Sequence, residues 1–112
     1  MISDPHDVER MASPIRGTGA PRALELRAWA LLLVVGLPDP AVAAPRPDGA
    51  LHLIWRRMPA VLKMWVRTGN ASSWEVMLDG RRLAGGYIRY EDDDPRGADV
   101  QRLRRAVERG WA

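Results

Sequence analysis

The side chains in this chain that could do acid–base, nucleophilic or metal chemistry are two histidines, the pair Ser72-Ser73 and the acidic run Glu91-Asp92-Asp93-Asp94. Their surroundings decide what each can do. His6 lies in a stretch of Asp, Pro, Ser and Gly, and His52 alternates onto the outer face of a strand, so neither is placed as a general base. The serines border a loop, and nothing in the sequence sets a base beside them. No H-E-x-x-H, G-x-S-x-G or Walker pattern occurs. The acidic run carries the hard oxygen donors that Ca²⁺ or Mg²⁺ takes. Consecutive side chains point in different directions, however, and the Gly and Glu positions of an EF-hand loop are missing, so the run reads as charge ahead of a helix N-terminus. Gly17-Thr18-Gly19 lacks the third glycine of a dinucleotide loop and no strand precedes it. Asn70-Ala71-Ser72 is a glycosylation sequon only in a secreted eukaryotic chain. With no cysteine there is no disulfide, thiolate metal site or cysteine nucleophile. The expectation is a non-enzymatic protein without cofactor or metal.

Binding chemistry is better represented. The chain carries 17 basic and 14 acidic residues, a formal charge of +3, and a pI near 10.2. All the basic residues but Lys63 are arginine, a skew that high-GC coding produces. Between His52 and Arg89, the cations Arg56, Arg57, Lys63, Arg67, Arg81, Arg82 and Arg89 face only Glu75 and Asp79. With Trp65 as a stacking group they form a nucleic-acid footprint. A solvated charged face explains the same residues.

These side chains are positioned by a small set of elements. At 112 residues the chain makes one domain with one core. Residues 1–19 lack an apolar period and read as a mobile arm, leaving 20–112 as the domain. Pro21 opens a helix that Gly36 and Pro38 close, and its apolar stripe is wide enough to call for cover by the sheet on one side or by another chain on the other. Prolines 38, 40, 45 and 47 make the next segment an extended connector, ended by Asp48-Gly49. Three strands then alternate cleanly. Leu51, Leu53 and Trp55 match Val66, Met64 and Leu62, which in turn match Trp74, Val76 and Leu78. A one-residue slip would swing charge into the core, so parity is determined. Asp79-Gly80 signals a type I′ hairpin into a fourth strand, about Arg81 to Tyr87, pairing Val76 with Leu83 and Trp74 with Gly85. Val100, Leu103, Val107 and Trp111 share one face of a last helix, about Ala98 to Arg109. The fold class is α+β: two layers, an N-terminal helix, a 3–4 stranded antiparallel β-meander and a C-terminal helix.

The second face of this sheet holds the candidate site. It presents His52, Trp65 and Glu75 in one row and Ile54, Lys63 and Met77 in the next, with Arg56 and Arg67 at the ends. Aromatic, Met and Arg side chains are favoured at interface centres, so Ile54, Trp65, Met77, Arg56, Lys63 and Arg67 read as a partner surface. The competing reading has the C-terminal helix cover this face.

The run Ala28 to Leu37 is too short to span a membrane. Preceded by Arg16, Arg22 and Arg27 and followed by Ala41-Val42-Ala43, it also reads as the core of a secretion signal cleaved near residue 43. The stretch Pro38-Asp39-Pro40-Ala41-Val42, with Pro45 and Pro47-Asp48-Gly49-Ala50-Leu51-His52-Leu53-Ile54-Trp55, resembles small bacterial proteins of unassigned function. Those place a helix, a Pro-rich connector and an Asp-Gly turn before a strand ending in Trp. The resemblance implies a meander and no chemistry, and the basic strands after Trp55 depart from it. The expected function is a cytoplasmic interaction or regulatory module with a protein partner or a second copy of itself. The alternatives are a nucleic-acid-binding protein and a secreted protein.

Overall fold

The computed structural model of the protein describes Ile15, residues 18–92 and residues 94–111, with side chains up to Arg109. Most of the expected arm and the Trp111 side chain lie outside the described residues. Within the arm, Ile15 is fully buried in the core, and its carbonyl accepts a hydrogen bond from Thr18 Oγ1.

Helix α1 spans Arg22–Val35. Pro21 precedes it with an extended backbone rather than forming its first turn. Gly36 ends it in the left-handed conformation, where the amides of Gly36 and Leu37 both donate to the Leu32 carbonyl. That geometry uses the glycine's tolerance of positive φ. Leu24, Ala28, Leu31, Leu32 and Val35 are buried, whereas Leu26, Leu33 and Val34 on the other side are exposed.

The sheet has six antiparallel strands in sequence order: β1 (Val42–Pro45), β2 (Leu51–Arg57), β3 (Ala60–Val66), β4 (Ala71–Leu78), β5 (Arg81–Glu91) and β6 (Asp94–Pro95). This exceeds the three or four expected. The connector itself supplies β1, since proline is tolerated on an edge strand and Val42 and Ala44 pair with Ile54 and His52. Trp55 fastens the same segment by donating its indole N–H to the Pro38 carbonyl at 2.7 Å.

The β2–β3 register is as expected, with Trp55, Leu53 and Leu51 opposite Leu62, Met64 and Val66. The next pairing keeps the expected parity but is offset by two residues: Leu62 faces Val76, Met64 faces Trp74 and Ala60 faces Leu78. The loop is shorter than expected and β4 starts at Ala71, so Ser72 enters the core layer. Its buried hydroxyl is satisfied by the Arg67 amide at 3.1 Å and by Tyr90 Oη at 2.7 Å. Asp79 and Gly80 both have positive φ, as a type I′ turn requires. The bulge in β5 comes sooner than the pattern suggested, between Val76 and Met77 on the β4 side, leaving Leu83 unpaired and setting Ala84 opposite Val76 and Gly86 opposite Trp74. A Cβ on Gly86 would lie 3.1 Å from the Trp74 ring, so this glycine makes room for the indole.

Helix α2 spans Gly97–Trp111 and buries Val100, Leu103 and Ala106 in the same core as α1, Leu53, Leu62 and Trp74. Both helices therefore cover one face of the sheet. The alternative in which the C-terminal helix covers the second face is overturned: α2 packs nearest β5 and β4 on the core side, where its apolar stripe meets Trp74 and Ile88. Buried Asp99 locks that docking by accepting three hydrogen bonds from Arg89, two from the guanidinium and one from the backbone amide.

Candidate functional site

Strand alternation turns His52, Ile54 and Arg56 of β2 away from the core, with Val61, Lys63 and Trp65 of β3 and Ser73, Glu75 and Met77 of β4. The two-residue offset rearranges the expected rows. Trp65 stands between His52 and Ser73, Lys63 between Ile54 and Glu75, and Val61 between Arg56 and Met77. Ile54 and Trp65 remain diagonal neighbours. Met77 is instead set apart by the Lys63–Glu75 row, in a second apolar spot with Val61. Tyr87, 65% exposed opposite Ser73, extends the Trp65 row. Sequence reasoning missed it because the bulge shifts β5 by one residue from the expected pairing of Trp74 with Gly85, and a one-residue shift moves Tyr87 to the other face.

His52 and Trp65 stack with ring centroids 4.8 Å apart and planes within 8° of parallel. Burial lowers the His52 pKa, and the charges of Arg46 and Lys63 add to the effect. The imidazole is therefore neutral at pH 7, and the stack is an uncharged aromatic platform. His52 Nε2 is covered and has no hydrogen-bond partner among the described residues. Charged groups border this platform. Arg67 holds Asp48 at 3.4 Å and donates to Ser73 Oγ at 3.1 Å. The Ala50 amide, followed by Arg67, keeps the Asp48 carboxyl below its ordinary range. Arg82 reaches Glu75 at 3.6 Å. Arg56 and Lys63 have no ion pair among the described residues.

A polar cluster at one end of the sheet resembles a reaction centre only in composition. Tyr90 hydrogen-bonds Ser72, while the Arg27 guanidinium lies 3.8 Å from the Tyr90 ring centroid and donates to the carbonyls of Arg67 and Gly69. Burial raises the Tyr90 pKa, so the phenol is a poor base. Among the described residues no imidazole or carboxylate bonds Ser72, and the cluster ties α1 to the β3–β4 loop. In the acidic run, Glu91 pairs with Arg96 at 2.8 Å. Among the described residues no group of three or more His, Asp or Glu side chains is placed to hold a metal ion. Nor is any described helix long and apolar enough to cross a membrane.

Of the seven cations in the nucleic-acid footprint, Arg67, Arg82 and Arg89 already hold carboxylates. Comparison of the chain with family models, curated proteins and solved structures gives no match.

Proposed function

We propose that the protein is a non-enzymatic interaction module that docks a protein partner on the second face of its sheet. The observation that carries this reading is the placement of both helices on the opposite face, which leaves Ile54, Trp65 and Met77 uncovered by any described helix. The His52–Trp65 stack is held rigid before binding, so little side-chain entropy is lost when a partner covers it. Lys63 and Arg56 at its border, with Arg67 at the end, favour a partner with acidic residues around an apolar centre.

Cross-linking with mass spectrometry on material purified from the native host tests this. Cross-links to a partner should centre on Lys63, the single lysine. Trp65→Glu should abolish them while the melting midpoint stays within a few degrees. A variant that keeps its assembly state but melts much earlier would make Trp65 a structural residue and remove the proposal. Retention on DNA or RNA, lost steeply with added salt, would favour the nucleic-acid reading instead.

A further inference from the structure

The two edges of the sheet differ. On one side, β1 is four residues long, ends in Pro45 and follows Pro40, features that blunt an edge against further pairing. On the other side, β6 pairs only with Tyr90 and Glu91. Among the described residues, β5 from Arg81 to Ile88 therefore has no strand paired on its outer side.

The direction of its backbone groups follows from two hydrogen bonds. Tyr90 donates its amide inward to the Asn70 carbonyl, whereas the Arg89 amide donates outward to Asp99 and its carbonyl accepts from Arg96. In an antiparallel ladder these directions alternate, so Tyr87 and Gly85 also turn their N–H and C=O outward. Arg89 closes the row, and the positions before it are open.

Beside this edge runs a groove of about 900 Å³ between β4–β5 and α2. Trp74, Leu78 and Leu83 line its floor, and Arg102, Arg105 and Arg109 line its wall. The three arginines sit at i, i+3 and i+7, on one side of the helix. Among the described residues they are exposed and have no ion pair, and no carboxylate lines the groove. The indole N–H of buried Trp74 also lacks an acceptor among the described residues.

We infer that the open edge of β5 and this groove form a docking site for an extended acidic peptide. The peptide adds a strand beside Gly85 and Tyr87. Its alternate side chains fall towards α2, where carboxylates meet Arg102, Arg105 and Arg109. The intervening side chains lie on the second sheet face beside exposed Tyr87, where β-branched residues pack best. A second copy of the chain is the poorer occupant. Antiparallel pairing of two β5 strands centred on Gly85 would set Arg81 of each copy against Arg89 of the other, and like charges facing each other across strands are unfavourable. The site is separate from the His52–Trp65 platform.

The test is fluorescence anisotropy with a labelled octapeptide alternating glutamate and valine, and with two versions N-methylated on the glutamates or on the valines. One N-methylated peptide should lose at least about tenfold in affinity and the other stay close to the parent, because only alternate amides bond to β5. Arg102→Gln with Arg105→Gln should weaken the parent peptide by about tenfold, while Trp65→Glu leaves it unchanged. Equal binding of both methylated peptides, or equal binding of a lysine–valine counterpart, overturns the inference. So does a dimer that dissociates in Gly85→Pro and takes no peptide, which would assign the edge to a second copy.

Discussion

At the scale of single residues, the chain's chemistry is decided by what each polar group touches. Asp99 is 1% exposed, and among the described residues Arg89 donates the hydrogen bonds that hold its charge. The Arg89 hydrogen bonds keep its carboxyl below the ordinary range despite burial. A lowered carboxyl contributes stability that is complete above the unfolded value, about 3.9, and is lost as pH falls through the folded one. Asp99→Asn should cost about 2 kcal/mol at pH 7, measured by urea denaturation, and should flatten the acid limb of the stability curve. His52 works in the same direction in another window. Its lowered pKa means the unfolded chain binds the proton more tightly, so stability is full above about pH 6.5 and declines as pH falls below it. His52→Phe, which keeps a ring on Trp65, should remove that decline; thermal melts between pH 8 and pH 5 (about the histidine range) that stay identical in the two proteins would contradict it. The pairing of His52 with Trp65 was legible from the alternation of β2 and β3. The covered nitrogen was not, because it depends on neighbours from other parts of the chain.

At the scale of elements, alternation determines which face a residue takes, and two-residue offsets escape it. The β3–β4 pairing is the instance: moving Val76 from Met64 to Leu62 keeps every apolar side chain on the core face. The observed register brings the Ser72 hydroxyl to the amide of Arg67 and the phenol of Tyr90, the latter eighteen residues away. Gly86 has a similar origin. Gly86 lies under the Trp74 indole, whereas a Cβ on Gly85 would meet only the far end of the exposed Arg82 side chain, which can swing aside. Gly86→Ala should therefore destabilise the protein by about 1–2 kcal/mol in chemical denaturation, the usual scale of overpacking. Gly69→Ala, with open space around its Cβ, serves as the control and should be close to neutral.

At the scale of the whole molecule, the share of the core that α1 supplies bears on the signal-segment reading. Leu24, Leu31, Leu32 and Val35 are buried in the core, and each such side chain contributes about 1.5–3 kcal/mol. Together they rival the roughly 5–15 kcal/mol by which a domain is stable. Removing residues 1 to 43 would also cut through β1. A chain beginning at Ala44 should give no cooperative thermal transition by circular dichroism, and a sharp one would favour the reading in which that segment is cleaved.

The sequence by itself determined the helix–meander–helix order, the core side of β2, β3 and β4, and the β2–β3 register. These rest on periods of two and 3.6 residues and on turn chemistry, which are properties of neighbours along the chain. Only the tertiary structure decided that both helices cover the same face, that the connector becomes an edge strand, and that β5 keeps an open edge beside an arginine-lined groove. An apolar stripe shows that a face must be buried without showing against what, so the layer to which each helix belongs is settled by packing among elements far apart in the chain.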